Sequence, residues 1–246
     1  MPETDAPRRW GRLLLCAASL AALTLPSGPA LAQTPPKTAA KRDKTTAIDV
    51  APSLGALVRL GDAPAFDVTQ RGGLTVGASA SYYFHPIALG LAYEHAGFGR
   101  EESGIGALGV VRISRQLDTV WAFARVRVTG LEPVIPFLQA GPGVVWQTAR
   151  ADGVALSNGG VGGGQSFSCK ASDSANLGLR VGWGVEVPLS PSVLFLGEGS
   201  FDAYRLSTDI LDGCAPGAGT ASALTLRVGL AYRFDLGGGD KKAAGK

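Results

Sequence analysis

From Ile48 onward the chain alternates bulky apolar residues with small or polar ones, and the alternation recurs in about eight segments, the period of strands with two unlike faces. The last segment shows it best. Leu224, Leu226, Val228, Leu230, Tyr232 and Phe234 share one face, against Thr225, Arg227, Gly229, Ala231 and Arg233. Leu177, Leu179, Val181, Trp183, Val185 and Val187 likewise oppose Gly178, Arg180, Gly182, Gly184 and Glu186. Six further segments start near residues 48, 74, 87, 120, 137 and 193, and hardly any stretch has a helical period.

Alternation does not say which face meets bulk solvent, and composition decides it. Charged residues are only 17 % of the chain, and 35 of its 246 residues are glycine. The polar face is mostly Gly, Ala and Ser with scattered Arg, Glu and Asp, too poor in charge for a water-facing surface but suited to a narrow interior. Most segments alternate for roughly 9–11 residues, the length of a tilted membrane strand. Short connections (85–86, 130–133, 190–191) alternate with long ones (61–73, 98–118, 150–175, 207–221), as in outer-membrane barrels. Hydrocarbon leaves no open sheet edge viable, so the strands must close. The expected fold is all-β: a closed antiparallel up-and-down transmembrane β-barrel of about eight strands over residues 47–235. At that size side chains fill the interior, so the lumen is expected to be plugged.

The flanks read differently. Arg8, Arg9 and Arg12 precede an apolar run at 13–25, then Pro26 and Ala30-Leu31-Ala32, the layout of a secretory signal peptide over residues 1–32. Residues 33–46 read as a flexible periplasmic leader whose Lys37, Lys41, Arg42 and Lys44 form a solvated cluster, and 236–246 as a flexible tail. The net charge of +3 is diffuse and no basic patch is interleaved with aromatics, which argues against a nucleic-acid partner.

The final strand carries the most specific motif. Arg227-x-Gly229-x-x-Tyr232-x-Phe234 resembles the C-terminal β-signal of bacterial outer-membrane proteins, although a tail follows Phe234. The segment at 136–143 is similar to a Gly-rich strand of small OmpA- or OmpX-like outer-membrane β-barrel domains. The resemblance spans about residues 47–235. It implies location in a Gram-negative outer membrane, contact with its lipid, and recognition of Arg227, Gly229, Tyr232 and Phe234 by the barrel assembly machinery. It implies no substrate.

Several constellations bear on chemistry. Cys169 and Cys214 fall in the third and fourth long loops, neighbours at one end, and export permits a disulfide between them. The polar-face charges Asp49, Glu94, Arg125, Arg127, Arg180, Glu186, Glu198, Asp202, Arg227 and Arg233 have both signs and suit a lumenal salt-bridge network; a channel lining is the alternative. His85 lies in a short turn, and His95 lacks the His-x-Ser spacing of lipid-modifying barrels, so no catalytic residue is expected. The run 159–164 is Gly-rich without the Lys-Ser/Thr of a phosphate loop. Tyr82, Phe84, Tyr232 and Phe234 fall near one membrane interface, and Tyr93 and Trp146 near the other. Neither a cofactor nor a metal is expected. The expected role is a monomeric structural or surface-interaction barrel whose long loops meet an external ligand. The alternatives are a narrow channel, a lipid-modifying barrel enzyme, or a secreted soluble lipocalin-like barrel that binds a ligand inside.

Overall fold

The computed structural model describes residues 46–60, 72–104, 109–131, 133–155, 164–207, 209–217, 219 and 221–236. The signal peptide, residues 33–45 of the leader, residues 237–246 of the tail and residues 159–163 of the Gly-rich run lie outside these. The strands in chain order are β1 (Ala47–Leu60), β2 (Gly72–Phe84), β3 (Ile87–Gly104), β4 (Gly109–Arg127), β5 (Ile135–Ala155), β6 (Gln165–Ser172), β7 (Asn176–Pro188), β8 (Val193–Tyr204), β9 (Ile210–Leu211), β10 (Ala215–Pro216) and β11 (Ala221–Asp235). Eight of them form a closed antiparallel ring in the order β1-β2-β3-β4-β5-β7-β8-β11. The seam is β11 against β1, in one register from Ala47↔Asp235 to Leu60↔Ser222. Closure leaves no free edge at this level, as a hydrocarbon solvent requires.

The large apolar residues point out. Leu74, Leu138, Leu177, Leu179, Val181 and Leu226 are all more than half exposed, while Arg180 and Arg227 are buried. A water-soluble barrel has the opposite polarity, so the lipocalin-like alternative fails here. In the interior the Trp121, Phe123 and Phe137 rings each lie over a glycine of a neighbouring strand. The Trp121 ring covers Gly143 of β5 and Gly178 of β7, and the Phe137 ring covers Gly184. A Cβ on Gly143 would lie 2.2 Å from the Trp121 ring, which is why the inner face alternates between glycine and bulk.

The two ends differ. At the lower end, which holds Ala47 and Asp235, the connections 85–86, 128–134 and 189–192 are short. At the upper end the expected loops 98–118 and 150–175 are largely strand. β3 and β4 stay paired up to Gly104↔Val110, β4 and β5 up to Gly109↔Ala155, and β6 adds to β5 from Thr148↔Ser172 to Ala155↔Gln165. The reason lies in the face pattern. In upper β4 the inward residues Val111, Ile113 and Leu117 are apolar and buried, with the part-buried Arg115 among them, and the outward ones include Arg112 and Gln116. In lower β4 the outward residues are Val120, Ala122, Ala124 and Val126, and Arg125 and Arg127 point in. The pleat runs on while the apolar face changes sides, so an alternation sought on one face stops where the strand does not.

Candidate functional site

The inner faces of six strands carry the expected lumenal charges: Asp49 on β1, Glu94 on β3, Arg125 and Arg127 on β4, Arg180 and Glu186 on β7, Glu198 and Asp202 on β8, and Arg227 and Arg233 on β11. They connect in one unbroken run that alternates in sign. Arg233 donates to Asp49 at 2.8 Å, and Asp49 also accepts from Arg127 at 2.8 Å. Arg127 pairs with Glu186 at 2.8 Å, Glu186 with Arg125 at 3.1 Å, and Arg125 with Glu198 at 3.3 Å. Glu198 and Glu94 both accept from Arg227. Glu94 then takes a bidentate fork from Arg180 at 2.6 and 2.7 Å, and Arg180 reaches Asp202 at 2.6 Å. Five guanidiniums meet five carboxylates, so the run is neutral.

Depth makes this neutrality necessary. Asp202 is 0 % exposed and Glu186 1 %. An isolated buried charge costs several kcal/mol, and pairing with full hydrogen bonding offsets that cost. Aromatic rings complete the arginine environments: Phe137 lies 4.0 Å from the Arg125 guanidinium, Tyr83 4.0 Å from that of Arg127, and Trp121 4.2 Å from that of Arg180.

Sequence reasoning missed the neutral members of this network. Gln139 accepts from Arg125 at 2.8 Å and donates to Glu198. Ser200 accepts from Arg227 at 2.9 Å, and Thr225 donates to Asp202 at 2.9 Å. All three stand on the polar side of the alternation, and that position was the available signal. A void of about 30 Å³ beside Glu94, Arg180 and Arg227 has room for roughly one or two waters. Each carboxylate of the network is held by at least one guanidinium.

The other candidate residues separate. Arg227 of the C-terminal motif belongs to the lumenal run, while the Tyr232 and Phe234 rings meet edge to face, centroids 4.7 Å apart, on the outer face near the lower end. Gly229 faces inward, where a Cβ would meet the Pro52 carbonyl at 2.5 Å. His85 takes a 2.8 Å hydrogen bond with the Tyr83 hydroxyl at the lower turn. His95 lies on the outer face beside Asp118, at 2.9 Å, and Tyr93 donates to the same carboxylate oxygen at 2.7 Å. Among the described residues no nucleophilic side chain hydrogen-bonds His95, and no group of three or more metal-ligating side chains occurs.

At the upper end Cys169 of β6 and Cys214 are joined in a disulfide. They flank a second apolar core, in which Leu211 and Ala215 pack on Val111, Ile113, Ala149, Ala151 and Ala171. Asp173, between β6 and β7, ties this lobe to the barrel. Its carboxylate accepts from Gln147 at 2.9 Å, from the Ser207 backbone N–H at 3.2 Å, from Asn176 at 3.1 Å and from the Ser174 backbone N–H at 2.8 Å. Burial works against its charge, but these donors outweigh burial and hold the carboxyl below the usual aspartate range.

A closed ring, an apolar outside and a charged, neutralised inside meet in one molecule only when the outer solvent is lipid. The chain is a small transmembrane β-barrel. No known family model matches it, and no curated protein sequence does. Solved structures similar to it include Neisserial surface protein A (17 % identity, 77 % of this chain, 97 % of that one, TM-score 0.45). Others are the attachment invasion locus protein Ail of Yersinia pestis (15 % identity, 78 % and 99 %, TM-score 0.41) and a major outer membrane protein of Thermus thermophilus (17 %, 76 % and 99 %, TM-score 0.44). With each TM-score below 0.5, the reading of this barrel rests on its own residues.

Proposed function

We propose that the barrel is an integral outer-membrane protein without catalytic activity, plugged in its lumen, whose upper lobe meets a partner outside the cell. The observation that carries this is the neutral run from Arg233 to Asp202, with aromatic rings packed against it and a void of only about 30 Å³ beside Glu94, Arg180 and Arg227. Both chain ends leave the barrel at the lower end, the periplasmic side of an even-stranded barrel. In this reading an N-terminal signal peptide exports the chain, the barrel assembly machinery inserts it through Arg227, Gly229, Tyr232 and Phe234, and it works as a monomer. The lobe formed by the upper parts of β3, β4 and β5 with β6 then faces outward.

The purified protein should resist sarkosyl extraction and run faster unboiled than boiled. It should add no conductance step to a planar bilayer. Stable ion conductance by the parent protein would replace the plug with a narrow channel. Extraction of a water-soluble folded chain without detergent would remove the membrane reading altogether.

A further inference from the structure

Upper β4 and β5 carry two arginines on the outward face, Arg112 and Arg150, and each is held in the same way. The Arg112 Nε donates to Glu102 of β3 at 2.6 Å, and the Arg150 Nε donates to Asp152 at 3.0 Å. The Nε is one donor of the guanidinium fork, and the two terminal amino groups carry the rest. Among the described residues those amino groups make no hydrogen bond on either arginine, so both forks are positioned and still open. Between the arginines lies a concavity of about 270 Å³ lined by Arg112, Ser114, Arg150 and Asp152. The Asp152 carboxylate is engaged there, since it also accepts from the Ser168 hydroxyl at 2.6 Å. On the far side of Arg150 stands the exposed Lys170 of β6, directly opposite it in the ladder. Like charges opposed across a ladder destabilise a sheet. Arg112, Arg150 and Lys170 outnumber Glu102 and Asp152, an excess that an anion from outside the chain would offset. Arg150 is four residues beyond Trp146 on the same face of β5, and Trp146 stands at the edge of the lipid-facing section. At about 3.3 Å per residue and a strand lean of about 40°, the concavity lies roughly 10 Å beyond that edge. It opens toward the surrounding bilayer rather than the barrel mouth, and an arginine side chain spans the distance back to the headgroups.

We propose that Arg112 and Arg150, with Ser114 between them and Lys170 beside them, bind the phosphate monoester of a lipid headgroup in the adjoining leaflet. Paired guanidinium forks suit a dianionic phosphate, with several oxygens to accept bidentate bonds, better than a phosphodiester capped by choline. The bound phosphate screens Arg150 from Lys170, and the Nε bonds to Glu102 and Asp152 hold the forks apart at the width of the concavity. The site needs the chain to be transmembrane, and it works whichever end of the barrel faces outside the cell.

The test uses the full chain, folded in micelles of an uncharged detergent, with retained lipid counted by native mass spectrometry. Short-chain phosphatidate and short-chain phosphatidylcholine are offered in turn. The parent should hold phosphatidate about tenfold or more tightly, as two arginines at an anionic surface would, and the preference should shrink as salt rises. Arg112→Gln/Arg150→Gln should bring the two lipids to within about twofold of each other while it keeps its folded mobility on unboiled gels, and Arg150→Gln alone should fall between. Arg205→Gln removes an exposed cation elsewhere and should keep the parent preference. Equal retention of the two lipids by the parent overturns the site. So does a parent-like preference in the double variant, or an equal loss in Arg205→Gln, which would make the effect one of net charge. Glycerol phosphate separates the sources: if it displaces phosphatidate at equal concentration, the concavity takes a free phosphate and the lipid assignment fails. A chain that stays folded and soluble without detergent sinks the transmembrane reading instead, whatever lipid it prefers.

Discussion

Strands β4 and β5 pass through two environments, and the same pleat is used in opposite senses in each. In the lower section of β5, Leu138 points out at 64 % exposure while Gln139 is buried inside. In the upper section Ala149 and Ala151 are buried inside, and Arg150 points out with Asp152 as its partner at 3.0 Å. Below the change the interior is ionic and the outside greasy. Above it the interior holds an apolar cluster clamped by a disulfide, with Arg115 and Gln147 beside it, and the outside carries Arg112, Arg150 and Asp152. The switch falls near Asp118 and Trp146, which are directly opposed across β4 and β5. One backbone thus satisfies lipid and water in turn, and the change of apolar side marks where one solvent ends.

The largest test of this contrast concerns room. Gly143→Val should prevent folding, because its Cβ would overlap the Trp121 ring, itself stacked under Arg180 at 4.2 Å and unable to retreat. Gly197→Val on the outer face of the same barrel has its nearest neighbour, a Val185 methyl, at 3.5 Å and should fold. The fraction that shows folded mobility on unboiled gels after refolding into lipid measures both. Equal yields would mean that the lumen is looser than its glycines indicate.

Next comes charge. Glu94→Ala leaves Arg180 and Arg227 facing a lost partner in a closed lumen, and breaking a buried pair typically costs about 3–5 kcal/mol. The urea midpoint for loss of folded mobility should fall steeply. Glu198→Ala should act likewise, since Glu198 serves Arg125, Gln139 and Arg227. Parent-like midpoints for both would mean that water, not the ion pairs, solvates the lumen.

A third comparison moves along one face of β5. Leu138→Arg puts a cation against acyl chains and should cost about 2–4 kcal/mol if the site lies near the membrane midplane. Thr148→Arg, on the outward face above the switch, where Ser172 is its hydrogen-bond partner at 3.1 Å, should be nearly neutral. Equal costs in urea titrations of the two variants would erase the proposed boundary between the sections.

These contrasts also explain what could be read from the chain alone. The spanning strands announce themselves because each buried charge on the inner face sits two residues from the next small or polar one, as in Arg125 and Arg127 or Glu198, Ser200 and Asp202. The ladder fixes the face, so the polar side could be assigned to the lumen before any partner was known. Who pairs with whom could not: Glu94 and Arg227 meet across 133 positions of sequence, and only closure brings them together. The upper parts of β4 and β5 read as loops in the sequence because the apolar side changes there, and the β3–β4 ladder shifts register between Gly97 and Arg100. β6 was missed for a related reason: five of its eight residues, Gln165, Ser166, Ser168, Lys170 and Ser172, are polar, as the watery side of a two-sided sheet requires.

The smallest effect should come from acid, and it should touch the upper section alone. The Asp173 carboxyl is held below its ordinary range, so its ionised form is favoured by the folded lobe. The sign follows: its contribution is complete above the unfolded aspartate value of about 4 and is lost as pH drops through the lower folded value. Acidification below about pH 4 should therefore loosen the chain at Ser207, whose N–H donates to Asp173, before it unfolds the ring. Hydrogen exchange at the Ser207 and Cys214 amides should quicken with acid relative to the intrinsic rate, while amides of β7 and β8 stay protected. Asp173→Asn should flatten that difference, since an amide does not ionise over this range. If the parent and Asp173→Asn follow the same pH course, the lobe is held by its apolar contacts and disulfide, and the carboxylate is incidental to it.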